Sequence, residues 1–101
     1  MYTVTGLLGL GQRQTEVPLG EYSTLTEARN AAKDFIRSEY SSVYGKELPL
    51  RGISSYDVDV FVSIDDDEGG SRGFFPAHGR KYAFLEVEGW NEGSGKRTYL
   101  N

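Results

Sequence analysis

The chain has 101 residues, 38% hydrophobic and 26% charged, enough for one modest core and too few for two. It contains no Cys, which excludes disulfides and thiolate metal sites. A net charge of −4 argues against non-specific attraction to nucleic acid or anionic lipid, without excluding a local basic patch.

The start, Met1 followed by Tyr-Thr-Val-Thr, lacks the basic and apolar regions of a signal peptide. No apolar run approaches the roughly 20 residues of a membrane span. The expectation is a single domain over residues 1–101, soluble and cytoplasmic, or in the host cytoplasm if phage-encoded.

Tyr2 to Leu8 reads as a first strand, with Tyr2 and Val4 on one face and Thr3 and Thr5 on the other. Gly6, Gly9 and Gly11 interrupt it with the wrong spacing for a dinucleotide-binding loop. Thr15 to Leu19 reads as a short returning strand, with Pro18 marking an edge or an end.

The helix is the clearest element. Thr24 and Glu27 have the spacing of a capping box. Leu25, Ala28, Ala31, Ala32, Phe35, Ile36 and Val43 recur at helical spacing and predict the buried stripe. Gly45 is a natural stop, so the helix is expected from Leu25 to about Tyr40 or slightly beyond. Arg29, Lys33 and Arg37 lie four apart along one flank.

A connector, Lys46 to Ser55, leads to two further strands, Asp57 to Asp65 and Lys81 to Trp90. Between these, Asp66 to Arg80 reads as a long, Gly-rich loop carrying Phe74-Phe75-Pro76. After the turn signal Asn91 to Gly95, Lys96 to Leu100 reads as a short last strand. The expected fold class is α+β: one helix on one face of a small antiparallel sheet, in the approximate order ββαβββ. One helix covers one sheet face, so the other is expected to stay open.

In the first of the two later strands, Val58, Val60, Val62 and Ile64 oppose Asp57, Asp59, Phe61 and Ser63. In the second, Ala83, Leu85 and Val87 oppose Tyr82, Phe84, Glu86, Glu88 and Trp90. With the aliphatic sides in the core, Asp57, Asp59, Phe61, Tyr82, Phe84, Glu86, Glu88 and Trp90 are expected to share one exposed face. On such a face rings supply contact area and carboxylates select a basic partner. A solvated outer face, or a face buried in a homodimer, is the alternative. Phe74 and Phe75 are either a second contact point or a cap on the core edge.

No catalytic motif or nucleotide-binding loop is present, so the chain is expected not to be an enzyme, and no cofactor is expected. Asp65-Asp66-Asp67-Glu68-Gly69 departs from a calcium loop, because Gly69 and Pro76 stand where ligands belong. An acidic hairpin tip is expected instead, with no metal. The single His78 stands between Ala77 and Gly79 and reads as solvated.

Two readings of function follow. The first is a protein-binding module that docks a basic surface through its acidic, aromatic sheet face. In a finer form it is an inhibitor whose carboxylates stand where phosphates would on a nucleic-acid-binding partner. In size and charge alone, such a chain resembles phage-borne inhibitors of host defence, including anti-CRISPR proteins. The second is a nucleic-acid-binding module using Arg29, Lys33 and Arg37 with the basic residues Arg72, Arg80, Lys81, Lys96 and Arg97. Direct nucleic-acid binding is the lesser expectation, since acids flank the rings, and no membrane partner is expected.

Overall fold

Six strands form one antiparallel sheet in the order β2-β1-β3-β4-β5-β6: β1 Tyr2–Leu8, β2 Thr15–Tyr22, β3 Val60–Asp66, β4 Ser71–Pro76, β5 Phe84–Glu88 and β6 Lys96–Leu100. A single helix, α1 Leu25–Tyr44, follows β2. This computed structural model describes residues 1–9, 14–44, 60–76, 84–90 and 95–101. The connector at 46–55, Gly45, His78 and the turn residues 91–94 lie outside the described residues, as do Asp57, Asp59 and Tyr82. The α+β class is as expected, and the order gains one strand, β4, inside the segment read as a long loop.

The helix begins where its capping sequence places it. The Glu27 amide donates to Thr24 Oγ1 at 3.2 Å, and the hydroxyls of Thr24 and Ser23 donate to the Glu27 carboxylate at 2.8 and 3.2 Å. The glutamate thus receives two side-chain hydroxyls, a variation on the reciprocal box. Ala28, Ala32 and Ile36 are fully buried and Leu25, Ala31 and Phe35 are partly so, as predicted for these stripe positions, while the side chain of Val43 lies outside the described residues. The helix packs on β1, β2 and β3 and reaches β4. Among the described residues no helix is long and apolar enough to cross a membrane.

Gly6 lies within β1 and does not end it. A Cβ there would stand 2.5 Å from the Phe35 ring, so the missing side chain is the space that ring occupies. Pro18 lies on β2, at one end of the sheet, as a residue with no amide donor must. The register shifts there: Val4 pairs with Gly20 and Thr5 with Pro18, which leaves Leu19 as a bulge beside Gly20 at φ 108°.

β3 turns into β4 through a tight acidic hairpin. Asp66 Oδ1 accepts the amides of Glu68 and Gly70, both at 2.8 Å, and Gly69 supplies the positive φ. The chain then runs straight through Phe74 and Phe75 as strand. The two rings therefore point to opposite sides of the sheet, and both are buried.

Candidate functional site

The face expected to be open is divided between the two sides of the sheet. β3 and β5 are not neighbours, because β4 lies between them and pairs antiparallel with each. Val62 pairs with Phe74, and Phe74 with Glu86, so these three stand in one row on one side. The aliphatic side of β3 and the acidic side of β5 therefore face the same way, toward the helix. Phe61 faces the other way, with Leu85 and Val87. Alternation within each strand is as predicted, but the relation between the strands is reversed.

Neither group of rings is exposed. Phe84 is fully buried, with Lys33 Nζ 5.9 Å and the Arg37 guanidinium 5.0 Å from its ring centre. On the opposite side Phe61 and Phe75 stack at 5.3 Å, and Trp90 meets Phe75 edge-on at 4.9 Å. Trp90 belongs to this cluster and not to the row of Glu86 and Glu88, because β5 ends at Glu88 and Gly89 turns the chain at φ 69°. Its ring lies across Gly73, where a Cβ would come within 3.2 Å of it. The side without the helix is thus closed over β3, β4 and β5, where Phe61, Phe75, Leu85 and Val87 are buried. Phe74 and Phe75 are core residues and not a flexible contact tip.

Glu86 is the sharpest correction. Expected as an exposed docking acid, it is 3% exposed. Arg29 Nε donates to its Oε2 at 2.7 Å, Arg29 Nη2 to Oε1 at 2.9 Å, and Arg72 Nη1 to Oε1 at 3.3 Å. Both carboxylate oxygens are engaged by guanidinium donors in the forked geometry that makes such pairs strong. Donating to Glu86 holds the Arg29 guanidinium further in its charged form, against the opposing effect of burial. Arg72 also reaches Glu88 at 3.5 Å, and Glu88 remains 47% exposed.

These contacts also alter the rival basic stripe. Arg29 is committed to Glu86, and Lys33 and Arg37 lie against Phe84, with Arg37 also 3.6 Å from Asp34. Among the described residues no group of three or more carboxylates and histidines could hold a metal ion.

What stays open is beside the helix. Because α1 packs chiefly as far as β4 and only the side chains of Arg29, Lys33 and Arg37 reach across Phe84 and Glu86 of β5, a trough is left between the helix and the helix side of β6. It consists of two adjoining grooves of about 350 and 400 Å³ that share Glu88. Arg29 and Lys33 line one wall, Thr98 and Leu100 the other, and Arg72 and Lys96 the far end. The outer strand, β6, is exposed along Lys96, Arg97, Thr98 and Tyr99. Sequence reasoning placed β6 but not this trough. Two signals pointed toward the buried strands: three successive apolar residues in Phe74-Phe75-Pro76, and a lone Glu86 between Leu85 and Val87.

No family model matches the sequence, and neither a curated protein nor a solved structure matches the chain.

Proposed function

We propose that this chain is a non-enzymatic module that binds another protein, through the trough and the outer strand β6 instead of the acid-and-ring face. One observation carries the reading. The helix packs on the sheet chiefly as far as β4, so Glu88 and the helix side of β6 border an open, charged trough while Phe61, Phe74, Phe75, Phe84 and Glu86 are buried. A trough floored by charges already paired with one another suits recognition by hydrogen bonding and shape. Glu86, with both oxygens engaged by arginine, is poorly placed to take a proton from a substrate.

An inhibitor of a nucleic-acid-binding protein is the finer form of this reading. It cannot use Glu86 as a phosphate mimic, and Glu88 is the acid of that row left available. Its mark would be displacement of nucleic acid from the captured partner.

Affinity capture from lysate, with and without nuclease, tests the proposal. The wild type is compared with Glu88→Lys/Thr98→Lys, which fills the trough, and with Arg37→Glu, on the helix flank outside the trough. Nuclease-resistant capture that the trough variant loses and the helix variant keeps supports protein binding at this site. Capture that vanishes with nuclease or with the helix variant moves the function to nucleic acid.

A further inference from the structure

The two ends of the sheet are not alike. β2 carries Pro18, which has no amide to donate, and the bulge at Leu19 breaks its register. Glu16 and Glu21 on the same strand are exposed. These are the devices by which a sheet edge refuses another strand. β6 has neither the proline nor the bulge, and its exposed charges, Lys96 and Arg97, are basic. It is five residues of regular strand, Lys96–Leu100, paired with β5 throughout and last in the described sheet.

Side chains on β6 give that open edge a sign. Lys96 shares the helix side with Glu88, its cross-strand neighbour, and Arg97 shares the other side with Val87. Both are exposed, and among the described residues neither has an ion-pair partner within 4.0 Å. Adjacent residues on a strand point to opposite faces, so the edge offers one cation on each side. Tyr99, 42% exposed, lies two residues beyond Arg97 on the same side and supplies a ring for apolar contact.

We infer that β6 is a strand-addition site that takes an extended, acidic segment of a partner protein, with neighbouring carboxylates meeting Lys96 and Arg97. This rests on the protein-binding reading and names the partner's chemistry. Main-chain hydrogen bonds to β6 supply affinity, and the two cations select the segment. The charges that keep neutral strands from pairing indiscriminately favour an acidic one. A second copy of the chain fits less well, because its β6 brings two more cations and no acid.

The test uses the ¹⁵N-labelled full chain and two capped octapeptides of valine and threonine, one with a Glu-Glu pair and one with a Lys-Lys pair. The Glu-Glu peptide is expected to shift the amide signals of Lys96 to Leu100 and to bind several-fold more weakly in high salt. Lys96→Glu/Arg97→Glu should exchange the preference for the Lys-Lys peptide. The assignment is overturned if neither peptide moves the β6 signals, if both bind the wild type equally, or if the signals move with protein concentration alone. If the double variant still captures the nuclease-resistant partner, β6 is wrong and protein binding stands. If no variant and no wild type captures protein, the broader reading fails as well.

Discussion

Glu86 and Arg29, 57 residues apart in the chain, meet through two hydrogen bonds of 2.7 and 2.9 Å that tie the helix to the fifth strand. One was expected to greet a basic partner and the other to grip phosphate. Each satisfies the other inside the protein, with Arg72 as a third member.

Breaking this pair from one side leaves a charge short of partners in a dry place. Arg29→Met is expected to destabilise by about 2–3 kcal/mol, below the ~3–5 kcal/mol of a fully buried pair, because a third of Arg29 is wet. Arg29→Met with Glu86→Leu should recover part of that loss, giving a coupling of roughly 1–3 kcal/mol. A double-mutant cycle by urea unfolding measures it, and strictly additive losses would contradict the contact. Glu86→Lys, for the same reason, would report on folding and not on docking.

The pair also has a pH signature. Glu86 raises the Arg29 pKa, so the stabilisation is complete below arginine's unfolded value and is lost only as pH rises through the still higher folded one. Alkaline titration should therefore leave it intact. In Arg29→Lys the stabilisation starts to fall above about pH 10.4, lysine's ordinary unfolded value, as pH rises toward the raised folded one. The stability gap between wild type and Arg29→Lys is expected to widen above about pH 10 in urea melts, and a constant gap would count against it.

Phe75 separates a closed sheet side from an open one. It is 2% exposed, so Phe75→Ala should cost about 3–5 kcal/mol. On an open face the same change would stay within about 0.5 kcal/mol. Trp90 rests edge-on against Phe75, and its fluorescence should shift to the red in the variant. Thermal melts and emission spectra read both effects.

Gly6 and Phe35 make a steric pair. Gly6→Ala puts a methyl group into the Phe35 ring and is expected to cost about 1–3 kcal/mol through overpacking. In a Phe35→Leu background the added methyl finds room and its cost should fall. Chemical denaturation of the four proteins checks the sign of this coupling, and an equal cost in both backgrounds would refute it.

Local chemistry made much of the fold legible. The helix start followed from Thr24 and Glu27, its buried stripe from spacing, and the edge position of β2 from Pro18. Each depends on residues within a turn or two of one another. β4 escaped notice because Gly73 and Pro76, with Gly69 and Gly70 just before it, give the segment the composition of a loop. A Cβ at Gly73 would stand 2.9 Å from the Phe75 ring and 3.2 Å from that of Trp90, the latter 17 positions along the chain.

The candidate site was the least legible part, and the cause is register. Alternation along a strand is intrinsic to its backbone, so Phe84, Glu86 and Glu88 were bound to share a side, as were Val60, Val62 and Ile64. Which two of those sides coincide is set by the strand between them. That strand places Phe74 beside both Val62 and Glu86. The sequence by itself determined the helix, the first two strands, the last one and the face each side chain takes within its own element. Only the tertiary structure decided that Glu86 turns inward to Arg29 and that β6 is left outside, because pairing between distant strands is a property of the assembled sheet.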